Sequence, residues 1–247
     1  MAKEGKLLSI YFTAGYPELE DTVEIIEALQ DSGVDMIEIG LPYSDPLADG
    51  PTIQESSTAA LKNGMSTSKL FEQIKDIRKN VDIPLIAMGY FNPMLQYGVE
   101  EFCRTCAEIG IDGLIMPDLP YDYWQEHYKS IYEKYDLKHV QLITPQTSKE
   151  RILEIDEQSL DGFIYMVSSS ATTGSQKGFR QEQLDYFDRI AGYNLNSPRI
   201  VGFGIKDDTT FSQATSEAKG AIIGSAFIKM LASDGKAGIR KFIHSIR

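Results

Sequence analysis

Several residue types that would simplify a functional reading are scarce in this chain of 247 residues. There are two cysteines, Cys103 and Cys106, too few for a cysteine zinc site or a secreted disulfide framework. They spell C-x-x-C, but within the helix-patterned "VEEFCRTCAEIG" rather than at a strand-to-helix turn, so two small apolar residues on a helix is the expected account. Only three histidines occur. His127 and His244 fall in helix-patterned segments and His139 opens a strand, which disfavours histidine catalysis, serine triads and histidine metal sites. Basic residues are outnumbered 24 to 36, and the net charge of −12 excludes a protein built to grip a nucleic-acid backbone. A small anion is still admissible, because backbone amides at helix N-termini hold phosphate without lysine. No apolar run reaches the 18 residues of a membrane span and no export signal opens the chain, so a cytoplasmic protein is expected.

What is present is alternation. Short runs rich in Ile, Leu, Val and aromatics read as strands at 7–12, 36–40, 84–89, 113–117, 139–143, 163–167, 199–203 and 221–224. Amphipathic segments fill the intervals. In "LEDTVEIIEALQDSG" an apolar stripe of Val23, Ile26 and Leu29 ends at Gly33, and "YDYWQEHYKSIYEKYD" reads as one long helix. "VDMIEIG", "IDGLIMP" and "LDGFIYM" repeat one helix-to-strand turn at Asp35, Asp112 and Asp161. No low-complexity linker interrupts the pattern, so residues 1–247 are expected to form a single domain. Eight β-α units in this length favour a (β/α)₈ barrel. The competing doubly wound sheet has only "GFGIKD" for a dinucleotide fingerprint, late in the chain and without the third glycine.

In such a barrel the chemistry lies at the C-terminal ends of the strands. Alternation along "MIEIG" puts Ile37 and Ile39 on one face and Met36, Glu38 and Gly40 on the other, which aims Glu38 into the barrel mouth. No basic residue lies nearby in sequence to make it a structural ion pair, and a desolvated carboxyl there has its pKa raised toward the range useful for proton transfer. The loop that follows, "LPYSDPLADGP", adds Asp45 and Asp49 and is stiffened by Pro42, Pro46 and Pro51. Aspartates beside glycine or proline commonly just form turns, so spacing leaves both undecided. "GFGI" and "IIGSAF" follow the seventh and eighth strands, where barrels commonly bind phosphate, although glycine at such turns is often only geometric. The loop 168–178, "SSSATTGSQKG", has the composition of a lid. Phe12, Tyr90, Phe91 and Tyr165 near strand ends suit either core packing or a flat apolar substrate.

"EIGLPYSDPLADGPTIQ", together with "YFTAGYP", "GYFNPMLQYG", "DGLIMPDLP", "GFGI" and "GSAFIK" in that order, closely resembles the tryptophan synthase alpha subunit family along nearly the whole chain. The resemblance implies a lyase that cleaves indole-3-glycerol phosphate to indole and glyceraldehyde 3-phosphate. On it, Glu38 matches the catalytic glutamate, Asp49 the aspartate that stabilises the indole N–H, and Tyr165 the active-site tyrosine. Phe12, Met88 and Tyr90 correspond to the indole pocket, Thr173 to the lid threonine, and Gly174, Gly204, Gly224 and Ser225 to the phosphate site. It implies no metal or cofactor in this chain. Pyridoxal phosphate is expected instead in a beta subunit, joined in an alpha2beta2 heterotetramer and faced by Asp45, Pro46, Asn92 and Pro93. Two departures stand out: only "MAKEGK" precedes the first strand, where the family usually has a helix, and the lid reads Ala171-Thr172-Thr173-Gly174 rather than Gly-Val-Thr-Gly. The alternatives are another phosphate-handling barrel enzyme, such as an isomerase or epimerase, and a barrel subunit that only regulates a partner.

Overall fold

A computed structural model describes residues 5–159, 161–168 and 178–247. Nine strands form one parallel sheet: β1 (Leu7–Thr13), β2 (Met36–Gly40), β3 (Leu85–Met88), β4 (Gly113–Ile115), β5 (Lys138–His139), β6 (Gln141–Ile143), β7 (Ile164–Val167), β8 (Arg199–Gly202) and β9 (Gly220–Ile223). Their order is β5-β4-β3-β2-β1-β9-β8-β7-β6. The two terminal strands of that order are consecutive in the chain, separated only by Val140. The Val140 N–H reaches across to the Leu114 carbonyl of β4, while Gln141 registers with Ile164 of β7. One segment therefore pairs with both neighbours and closes the sheet, and β5 and β6 are two halves of the fifth strand of an eight-stranded barrel. The expected (β/α)₈ architecture is the one observed.

The surrounding helices follow from their apolar stripes. Thr22–Asp31 buries Ile25, Ile26 and Leu29, so its core stripe is centred one position away from the expected one, and Val23 is only half-buried. Thr67–Ile74 starts at Ser66, whose hydroxyl accepts the Lys69 N–H, and buries Leu70, Phe71 and Ile74. Val99–Ile109 buries both cysteines with Phe102 and ends on Gly110 at φ +93°, a left-handed cap suited to glycine. The long helix expected after β4 is instead two, Tyr121–His127 and Lys129–Lys134, interrupted where Tyr128 leaves helical dihedrals at φ −127° and packs its ring 5.5 Å from that of Phe91. Among the described residues no helix is long and apolar enough to cross a membrane.

The repeated turn aspartates have a common structural task at two of their three positions. The Asp35 carboxylate accepts the Leu8 N–H at 2.9 Å, and that of Asp112 accepts the Leu85 N–H at 2.8 Å. Each aspartate precedes one strand and satisfies an amide at the start of the neighbouring strand, Leu8 as the second residue of β1 and Leu85 as the first of β3, at the sheet's N-terminal rim. Arg247 then pairs with Asp35 and donates to the Gly33 and Lys6 carbonyls, tying the last residue across that rim. The site is at the opposite end of the barrel.

Candidate active site

The polar residues of β1 and β2 point inward. β1 registers Tyr11 with Glu38 and Phe12 with Ile39, and β2 registers Glu38 with Ile86 and Gly40 with Met88. Register partners in a parallel sheet share a face, so Ser9, Tyr11, Thr13, Glu38, Ile86 and Met88 belong to the barrel interior. Ile10, Phe12, Ile37 and Ile39 belong to the layer beneath the helices. The expectation for Phe12 is therefore corrected: it is fully buried on the outward face, and Tyr11 takes the place facing the mouth. The clue was in "LLSIYFT", whose polar residues Ser9, Tyr11 and Thr13 alternate with Leu8, Ile10 and Phe12. That is the pattern of a strand whose inner face lines a site.

Glu38 has no accessible surface. The Ser9 hydroxyl donates to its Oε1 at 3.1 Å, while its Oε2 is buried without a hydrogen-bond partner among the described residues. Burial pushes the carboxyl pKa up to about 8, against a smaller lowering by the Ser9 hydrogen bond. Glu38 is thus mainly protonated at neutral pH and close enough to titration to move a proton either way.

Asp49 arrives from the loop after β2. The Tyr90 hydroxyl donates to its Oδ2 at 2.9 Å and accepts the Ala48 N–H at 3.0 Å, so one phenol pins both the carboxylate and its loop. Tyr90 stacks obliquely on Tyr43 at 5.2 Å, and the Asn92 amide donates to the Tyr43 hydroxyl at 3.4 Å. Burial raises the Asp49 pKa to about 6, and the Tyr90 hydrogen bond restrains the rise. At pH 7 the two carboxyls are therefore in different states, Glu38 mostly neutral and Asp49 mostly ionised.

Two buried tyrosines line the space between them. Tyr165 on β7 has its phenol pKa raised by burial and further by both Glu38 and Asp49. Tyr11 responds to the same two acids, Asp49 more strongly, so both rings lie in the field of the pair and keep their protons. Their hydroxyls occupy room left by missing side chains: a Cβ on Gly40 would overlap the Tyr11 hydroxyl, and one on Gly202 that of Tyr165. The Tyr11 ring also crosses Gly224, where a Cβ would sit 3.4 Å away. Tyr11 thus joins the acid pair to the loop after β9, which lies beside the loop after β8.

Those loops are adjacent because β8 and β9 pair. After β8 the chain turns through two left-handed residues, Phe203 at φ +69° and Gly204 at φ +81°, and the Ser168 hydroxyl donates to the Phe203 carbonyl at 2.7 Å. After β9, Gly224 precedes the helix Ser225–Asp234, with Ser225 exposed as its first residue. Gly204, Gly224 and Ser225 are thereby brought to one side of the mouth, with free helix amides at Ser225. Thr173 and Gly174 lie outside the described residues. Asp45, Pro46, Asn92 and Pro93 stand at the outer rim on the same end, Asp45 and Asn92 exposed and the prolines half-buried. Of the site residues, Ser9 and Tyr11 escaped sequence reasoning.

A family model described as "Tryptophan synthase alpha chain" matches residues 1–245. The tryptophan synthase alpha chain of Flavobacterium johnsoniae is 64% identical over 247 residues, spanning 100% of this chain and 97% of that one. That of Christiangramia forsetii is 62% identical, spanning 100% and 96%. Among solved structures, tryptophan synthase subunit alpha from Legionella pneumophila superposes with a TM-score of 0.88 at 32% identity, covering 98% of this chain and 91% of that one. A chain of tryptophan synthase from M. tuberculosis in an open form gives 0.85 at 32% identity, with 98% and 91% covered.

Proposed function

This chain belongs to the tryptophan synthase alpha chain family, lyases that cleave indole-3-glycerol phosphate, and we propose that Glu38 moves the protons of that reaction while Asp49 holds the charge that develops. The protonated Glu38 carboxyl delivers a proton to the indole carbon that bears the glycerol phosphate chain. Positive charge then gathers toward the ring nitrogen, where the ionised Asp49 accepts the N–H and stabilises it. The Glu38 carboxylate next takes the proton of the hydroxyl on the adjoining side-chain carbon. The O–H electron pair becomes the aldehyde C=O, the carbon–carbon bond breaks, and its electrons return to the ring as indole leaves. The same carboxyl ends the cycle protonated.

The observation that carries this reading is the division between the two acids, one fully buried with an oxygen free of partners among the described residues, the other pinned by Tyr90. Tyr165 and Tyr11 form neutral walls beside them, with Met88 and Tyr90 on the indole side. Gly204, Gly224 and Ser225 hold the phosphate through backbone amides and a hydroxyl. No cofactor is assigned to this chain.

The partner in this reading is a tryptophan synthase beta subunit, which carries pyridoxal phosphate and receives the indole within an alpha2beta2 assembly in the cytoplasm. Support comes from the rim around Asp45, Pro46, Asn92 and Pro93, which displays Leu47 at 92% exposure and Leu95 at 47%. Apolar side chains so placed on a short rim suit a protein interface.

The test is indole release from indole-3-glycerol phosphate, measured with and without a beta subunit. Glu38→Gln slows turnover by about 10²-fold or more while substrate still binds. Undiminished turnover in that variant overturns the assignment of Glu38.

A further inference from the structure

We infer that Ser9 is a positioning residue for Glu38: its hydroxyl occupies Oε1 as a donor and thereby places the transferable proton on Oε2, the oxygen without a partner among the described residues. This rests on the reading of Glu38 as the proton carrier. In a protonated carboxyl the carbonyl oxygen is a better acceptor than the hydroxyl oxygen, so a donor held on Oε1 favours the form with the acid proton on Oε2. In the described structure Oε2 has nothing else to bond to, and burial withholds water from it. The oxygen that gives up the first proton is then also the one open to receive the second, from the substrate hydroxyl. The carboxyl need not rotate between the two steps.

The same hydrogen bond acts on the energy of the ionised state. A hydroxyl bonded to a carboxylate is held about twice as strongly as one bonded to a neutral acid. The contact between Ser9 and Glu38 therefore strengthens when Glu38 has given up its proton, and it favours the intermediate over the resting state. The remaining surroundings do not duplicate this effect. From β3 comes Ile86 and from β9 Ile222 in register with Ser9, neither with a polar side chain, and the titratable neighbours Tyr11 and Tyr165 keep their protons in the field of Glu38 and Asp49. Ser9 is the one donor to Glu38 among the described residues.

Three variants, Ser9→Ala, Ser9→Thr and Glu38→Gln, test the inference through two independent readouts. The first is the pH dependence of kcat and kcat/KM for indole release. Ser9→Ala lowers kcat about tenfold with KM little changed, and moves the pH limb assigned to Glu38 upward by about one unit, the equivalent of tenfold; Ser9→Thr, which keeps the hydroxyl, restores both. The second is the Glu38 titration in the free protein, followed by carboxyl-carbon NMR or infrared difference spectroscopy with Glu38→Gln as the blank. It moves upward in Ser9→Ala irrespective of turnover. An unshifted Glu38 titration in a folded Ser9→Ala protein, or an unchanged pH limb while Glu38→Gln is inactive, overturns the role of Ser9 and leaves Glu38 standing. An active Glu38→Gln instead removes the catalytic reading itself, and the titration then decides the hydrogen bond alone.

Discussion

Replacing Glu38 by glutamine should make the protein more stable as it makes it less active, and by an amount that depends on pH. The carboxyl titrates near 4.5 in an unfolded chain and near 8 in the folded one. A raised folded pKa means the folded state holds the proton more tightly. Its contribution is fully favourable below pH 4.5 and is lost as pH rises through 8. Each pH unit between these limits costs about 1.4 kcal/mol. Wild type should therefore trail Glu38→Gln by about 1 kcal/mol at pH 5, about 3 at pH 7 and about 4 at pH 8. The amide can still accept from Ser9 through its oxygen and adds no buried charge, so the low-pH baseline stays close. For a chain of this size 3 kcal/mol is roughly 10 °C in Tm. Thermal unfolding of both proteins across pH 5–8 checks this, and groups common to both cancel in the difference. A Tm gap that does not widen with pH, or a variant less stable at pH 8, would refute the claim that Glu38 is a desolvated acid stored at a cost to the fold.

Tyr90→Phe removes the donor to Asp49, so the Asp49 pKa should climb further above about 6 and indole release near pH 6 should fall about tenfold, as a pH–rate profile would reveal. Gly40→Ala should cost about 1–3 kcal/mol and impair turnover, because the new methyl group meets the Tyr11 hydroxyl; denaturant unfolding and indole release measure the two effects. Arg247→Ala should lower stability by about 1–3 kcal/mol with KM unaffected, since its contacts to Asp35, Gly33 and Lys6 lie at the end of the barrel away from the site; Tm and steady-state kinetics together check it. His139, buried beside Trp124 and Tyr132, has its pKa pushed down to about 3, so its contribution is present above pH 6.5 and lost as pH falls toward 3. His139→Gln should flatten acid unfolding in that window by up to about 1.4 kcal/mol per pH unit.

Legibility in the sequence followed the range of the interaction. The barrel could be read because strand alternation and helix stripes are local patterns, and Glu38 could be placed because two flanking isoleucines identify its face. The same logic applied to "LLSIYFT" points to Ser9 and Tyr11, yet Phe12 was the residue expected at the site. An aromatic at a strand end attracts attention by chemistry, while the strand's period assigns it to the other face. The broken helix at Tyr128 was not legible, because the segment has continuous helical periodicity and one of the rings that pack on Tyr128, that of Phe91, comes from outside it.

What the chain determined by itself was the set of elements, the inward direction of Glu38, and, through resemblance, the family and its chemistry. Only the tertiary structure decided what state each acid is in. Glu38 and Ser9 are 29 residues apart, and Asp49 and Tyr90 are 41 apart. Their hydrogen bonds exist because β1, β2 and β3 are neighbours in a closed sheet. Closing that sheet strips water from Glu38 and leaves Oε2 without a partner among the described residues, while Tyr90 keeps Asp49 bonded. Proton affinity is a property of the solvent a carboxyl loses and the donors it gains, and both are set by residues distant in the chain.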